Sequence, residues 1–107
     1  MNKGYIKFNR CDDYLKIIKD NKNAMILLMI IAQRSSRDEK SAYTKKGYIK
    51  LKPNEVLIGD YKNYSMTRSE YKTAKKTLLN LGYISIFSNQ RGTIAKLINN
   101  SIFDIGE

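Results

Sequence analysis

The chemistry this sequence offers most openly lies between positions 68 and 80, in Arg68, Ser69, Lys72, Thr73, Lys76 and Asn80. At about 100° per residue, a helix through this stretch gathers them on one side. Thr67, Tyr71, Ala74, Leu78 and Leu81 fall on the other side. Guanidinium and ammonium groups neutralise phosphates and contact guanine edges. Hydroxyls bond phosphates, and an asparagine amide pairs with adenine. A second polar set follows at Asn89, Gln90, Arg91 and Lys96. An arginine at a narrow loop suits a duplex minor groove, where negative potential concentrates.

Other chemistries are poorly provided for. The chain has no histidine and one cysteine, Cys11, which excludes a His or Cys zinc site, histidine acid–base catalysis and an internal disulfide. A single thiol is in keeping with a cytoplasmic setting. The adjacent acids Asp12-Asp13 and Asp38-Glu39 fall in cap and loop contexts. There is no phosphate-cradling Walker A loop, no nucleophile elbow and no carboxylate pair at metal-site spacing. The expectation is a binding protein without a cofactor, not an enzyme. The net charge of +10 is spread over both halves of the chain, only residues 51–60 and 101–107 being slightly negative. A folded basic domain of this kind suits a polyanion. Composition biased towards lysine codons accounts for part of the charge.

The elements that must position these residues follow from pattern and caps. The 107 residues fit one domain, 1–107, with one core. Gly4–Asn9 alternates as a short strand or arm. Asp12 or Asp13 caps a helix carrying Tyr14, Leu15, Ile17 and Ile18. Asn21 or Asn23 starts a second helix, from Ala24 to about Ser35, apolar nearly all round and so expected at the centre. Its apolar run, Ala24–Ala32, is half a membrane span. Arg34 to Ser41 reads as a solvated loop. Gly47–Leu51 alternates as a strand, Lys52 to Glu55 reads as a turn, and Val56-Leu57-Ile58 is a brief apolar run ending at Gly59. Asp60 caps a short helix, Tyr61–Tyr64.

Thr67 and Glu70 have the spacing of a capping box, and Gly82 supplies the left-handed stop of that helix. Tyr83–Phe87 and Thr93–Ile98 then pair as a hairpin, with Ser88–Gly92 as a five-residue loop. Ile102-Phe103 returns to the core. Of the eight tyrosines, Tyr71 is expected in the core. Tyr43, Tyr61 and Tyr64 are expected to cover its edge or bond phosphates, stacking on single-stranded bases being the alternative.

At these residues a family resemblance enters. Asn23-Ala24, Leu27-Leu28, Ile31-Ala32-Gln33-Arg34, Leu51-Lys52-Pro53, Leu57-Ile58-Gly59-Asp60-Tyr61, Met66-Thr67, Tyr71-Lys72-Thr73-Ala74-Lys75, Arg91-Gly92-Thr93-Ile94-Ala95-Lys96-Leu97 and Ile102-Phe103-Asp104-Ile105 occur in that order. Over roughly residues 20–105 the chain resembles small winged helix-turn-helix domains of bacterial, phage and mobile-element proteins, some similar to the N-terminal modules of phage replisome organisers. The resemblance implies an α+β winged helix, a helical core with a small antiparallel β-wing. It implies double-stranded DNA as partner, with Thr67–Leu81 in the major groove and Ser88–Gly92 against the minor groove or backbone. Control of transcription or replication would be the role. Such helices often carry an apolar residue where Lys75 stands, which implies shifted packing there. A homodimer reading two half-sites about one turn apart is a further expectation, with residues 12–20 as the contact. The rival reading is a protein-interaction adaptor on the same scaffold, such as a phage-encoded inhibitor or a replication accessory factor bound to a replication or transcription protein.

Overall fold

Asn21 is the first fixed point of the chain: its side-chain oxygen accepts from the amides of Asn23 (3.0 Å) and Ala24 (3.4 Å) and so starts the helix around which everything else packs. The computed structural model describes residues 7–9, 11–36, 38–44, 47–90 and 92–104, the side chains of Tyr43, Thr44 and Asn89 excepted. Strand β1 (Lys7–Phe8) pairs antiparallel with β7 (Phe103–Asp104), tying the two ends of the described chain together. The rest of the expected Gly4–Asn9 strand lies outside the described residues, apart from Asn9. Helices α1 (Asp13–Asp20) and α2 (Lys22–Arg34) follow. Asp12 stands at the start of α1, but its side chain makes no capping hydrogen bond, contrary to expectation. Its backbone carbonyl accepts from Leu15 instead.

α2 is the hub. Ala24, Leu27, Leu28, Ile31 and Ala32 are all buried in one cluster with residues from α1, α3 and the main sheet. Its other side is less covered than the all-apolar pattern predicts, since Ile26 and Met29 remain exposed. The segment from Arg34 to Ser41, expected as a loop, is bounded by order. α2 runs through Arg34, and strand β2 (Lys40–Thr44) starts at Lys40 and pairs with β3 (Gly47–Leu51). Sequence pattern gave no sign of β2, because KSAYT has little apolar alternation to read. Its partner β3 supplies the apolar side chains, Ile49 and Leu51.

The main sheet has three antiparallel strands: β4 (Glu55–Ile58), β5 (Ile84–Asn89) and β6 (Gly92–Leu97), with β6 in the middle. The expected two-stranded ribbon therefore gains β4. Register fixes two faces, because successive side chains alternate. Val56, Ala95 and Ile86 align on the face that joins the helical core. Leu57, Ile94 and Phe87 align on the opposite face. There Ile94, with Leu57 beside it, packs with Ile49 and Leu51 of the β2–β3 hairpin in a second, smaller core. The β5–β6 ladder runs out to Asn89 opposite Gly92. The connection is thus Gln90-Arg91, not the five-residue loop expected. Ser88 and Asn89 extend β5 and Gly92 joins β6 instead of turning, and Ser88 pairs with Thr93, their hydroxyls 3.4 Å apart.

Between β4 and α3 (Arg68–Asn80) the chain makes one 3₁₀ turn, Tyr61–Tyr64, where a short helix was expected. Gly82, at φ +80°, ends the α3 region in the left-handed conformation that the stop required. Two members of the expected inward face of α3 fall outside it: Thr67, which is the exposed N-cap, and Leu81. Leu81 is not part of the buried stripe: it sits past the last helical turn and is 45% exposed. The stripe consists of Tyr71, Ala74 and Leu78. Leu78→Ala is therefore expected to cost about 3 kcal/mol in a urea unfolding titration, whereas Leu81→Ala should cost under about 1 kcal/mol.

Candidate nucleic-acid interface

The start of α3 is fixed by a complete capping box. The Thr67 hydroxyl accepts from the Glu70 amide at 3.1 Å, and the Glu70 carboxylate accepts from the Thr67 amide at 2.9 Å. This reciprocal pair sets which way the helix faces and occupies the acid of its first turn. Tyr71, Ala74 and Leu78 then turn inward, Ala74 and Leu78 with no accessible surface at all. Their burial forces Arg68, Ser69, Lys72, Thr73, Lys76 and Asn80 outward, and all of these are exposed, as is Thr67 at the N-cap. Arg68, Lys72 and Lys76 follow one another at intervals of four residues, about 6 Å along the helix axis.

Lys75 lies on the flank. Its ammonium stands over the Tyr71 ring at 4.8 Å, which accounts for a cation at a position where an apolar residue was the alternative. Burial lowers the Lys75 pKa, and the charge of Lys72 lowers it further. Like charges are therefore crowded on this surface. Among the described residues, no carboxylate lies within ion-pair distance of the cations of α3. Such a surface gains most from an anionic partner that relieves the repulsion.

The hairpin is brought to this side only in part. Gln90 is exposed at its tip. Asn89 closes the ladder against Gly92, and its side chain and Arg91 lie outside the described residues. Lys96 is placed elsewhere. It alternates with Ala95 and Leu97, which face the helical core, so it shares the opposite sheet face with Ile94 and is separated from α3 by the sheet. Ser88, from the expected loop contact, and Thr93, which lay outside it, stand on the sheet face turned to the core and α3. Lys62, exposed on the 3₁₀ turn, was also not foreseen.

What holds the 3₁₀ turn in front of α3 is a polar cluster that spans distant parts of the chain. Arg34, at the end of α2, donates from its two terminal nitrogens to the two oxygens of Asp60 at 2.9 and 2.8 Å. It also donates to the Leu57 carbonyl (3.0 Å) and to the Tyr64 hydroxyl (3.2 Å). The Tyr64 hydroxyl donates to Asp60, as does the Asn63 amide. Asp60 thus does not cap the turn with its side chain, as expected, but receives Arg34. The bond from Arg34 holds the Asp60 carboxyl well below the usual carboxylate range, with the Tyr64 and Asn63 donors adding to it. Asp60 in turn raises Arg34. Lys40 donates to the Arg34 carbonyl at 2.6 Å, joining β2 to the same point.

Tyr64 is buried and Tyr61 stacks on Tyr71, ring centres 5.4 Å apart, so these two tyrosines cover the core edge. The side chain of Tyr43 lies outside the described residues. Burial, with the negative charge of Asp60 adding to it, pushes Tyr71 up to about 12, and the Thr93 hydroxyl opposes the shift. The Tyr71 oxygen nevertheless has no hydrogen-bond partner of ordinary geometry among the described residues. Burial and the bond to Asp60 raise Tyr64 as well. Cys11 is half-buried, its thiol donating weakly to the Ser101 carbonyl at 3.5 Å. Among the described residues, no cluster of acidic or cysteine side chains could hold a metal ion, and no helix is long and apolar enough to cross a membrane. No protein-family profile, curated protein or solved structure matches the chain.

The shifted groups set opposite pH limits. Asp60 is lowered on folding, so its contribution is present above about pH 4, the ordinary carboxylate value, and is lost as pH falls below it. Tyr64 and Tyr71 are raised, so the unfolded chain releases their protons first, and stability falls as pH rises past about 10. Urea midpoints measured from pH 7 down to pH 3 should drop more steeply for the native protein than for Asp60→Asn. Tyr71→Phe should be neutral or stabilising at pH 7, because it removes a buried hydroxyl without a partner, and should soften the alkaline loss.

Proposed function

We propose that this chain is a winged helix-turn-helix domain that binds duplex DNA, with α3 in the major groove and the β5–β6 hairpin against the adjacent backbone or minor groove. The order α2, β4, 3₁₀ turn, α3, β5, β6, with the β2–β3 hairpin inserted between α2 and β4 and with β6 between β4 and β5, supports the winged-helix part of this reading. One observation carries the binding part. The exposed side of α3 holds Arg68, Lys72 and Lys76 in one row, beside Ser69 and Thr73, and its one acid is engaged in the capping box. A helix that spends its carboxylate on its own start and leaves its cations unpaired is built for phosphates supplied from outside.

Thr67, Ser69 and Thr73 are the hydroxyl donors to phosphate oxygens in this reading, and Arg68 and Asn80 are the side chains suited to base edges. Gln90, with Asn89 and Arg91, would form the wing contact. Lys96 has no part in it. Regulation of transcription or replication, of phage or mobile-element type and in the cytoplasm, is the role that the family resemblance favours. A second reading, contact with a second copy or a protein partner, is favoured by Leu15 and Ile18 on α1 and Ile26 and Met29 on α2, all large, apolar and exposed.

Salt titration of binding to a random-sequence duplex separates the two readings. If α3 meets the backbone, Lys72→Ala and Lys76→Ala should each reduce the slope of log affinity against log salt by about one unit. An Arg68/Lys72/Lys76 triple alanine variant that retains native affinity and slope would remove duplex binding by α3 and leave the protein-contact reading.

A further inference from the structure

The sheet face turned away from α3 carries a site of its own. The β2–β3 hairpin stands off this face and encloses a cleft of about 450 Å³ against it. Ile49 and Ile94 form its apolar floor, and Phe87 stands in its wall, 57% exposed. Lys96 of β6 and Lys52, just past the end of β3, line it, and Lys50 borders it from β3, on the side of the hairpin away from Ile49 and Leu51. None of these three ammonium groups has a carboxylate within ion-pair distance among the described residues. The acid of the cleft, Glu55, accepts from the Lys52 amide at 2.8 Å and is oriented by that bond.

We propose that this cleft is a second nucleic-acid site, which takes a single strand by stacking a base on Phe87 while Lys52 and Lys96 hold the flanking phosphates. An exposed aromatic ring among unpaired cations is the arrangement that binds single strands without sequence preference. An acidic peptide shares the charge but not the fit. β6, which supplies Ile94 and Lys96 to the cleft, is hydrogen-bonded on both sides, by β4 and by β5, so the floor offers no free ladder to an added peptide strand. A flat base needs no backbone donor, only a ring and nearby positive charge. The site also accounts for Lys96, which the sheet keeps from α3. It stands independently of duplex binding by α3.

The chain has no tryptophan, so Phe87→Trp places a single reporter in the cleft. Titration with a short oligothymidylate should quench its emission saturably. With a labelled oligothymidylate, Phe87→Ala should weaken binding about tenfold and Lys52→Ala/Lys96→Ala should weaken it with a shallower salt dependence, whereas Phe87→Tyr should bind as the native protein does. Duplex affinity should change less than about twofold in all three, because none alters α3. Absence of quenching overturns the proposal. So does oligothymidylate binding that survives Phe87→Ala but fails in the Arg68/Lys72/Lys76 triple variant, and so does polyglutamate that quenches the reporter as well as the oligonucleotide does. Phe87 is exposed, so these variants should keep the fold, and their thermal midpoints check it.

Discussion

The seating of α3 on α2 is the constraint on which the rest depends. Tyr71, Ala74 and Leu78 enter the same buried cluster as Leu27, Leu28 and Ile31. Ala74 has no accessible surface, and its small side chain lets the two helices approach closely at that point. Because a helix has one rotation about its axis, burying three residues on one side decides where every other side chain goes. The row of Arg68, Lys72 and Lys76 is exposed as a consequence of packing, with no separate interaction needed to hold it out. The capping box acts on the same degree of freedom from the end, fixing where the helix begins.

The second determinant is polar. Arg34 and Asp60 are each partly exposed, so their ion pair alone contributes modestly to stability. Its value is geometric. One guanidinium gathers the end of α2, the Leu57 carbonyl of β4 and the 3₁₀ turn at a single point. The turn then stacks Tyr61 on Tyr71 and so reaches α3. A planar group with several fixed donors suits such a junction, where a lysine could offer only a point charge.

Much of this was legible in the sequence where the signal is local. The capping box, the Gly82 stop, the Asn21 cap, the β3 alternation and the Lys52–Glu55 turn each depend on residues within a few positions of one another. What escaped was long-range or compensated. Arg34 reads as the edge of a polar loop, since nothing in its neighbourhood announces Asp60. β2 was missed because its apolar support comes from β3, and the reach of the hairpin ladder was underestimated because Ser88 and Asn89 are as ready to pair as to turn. Lys96 illustrates the cost of ignoring parity. Counting from Ala95 and Leu97 would have placed it on the face away from α3, had those two been recognised as the inward pair. Leu81 satisfied the helical period but lies beyond the last turn, where the period no longer governs.

The hairpin sheet thus separates two cationic surfaces of different character: one convex, on α3, and one concave and aromatic, around Phe87. Mapping the amide resonances of the labelled protein during titration with a short duplex tests the account most directly. Shifts concentrated at residues 67–76 and around the hairpin tip, with residues 49–52 and 85–87 quiet, are the predicted result. A duplex that binds while α3 stays unperturbed would contradict it.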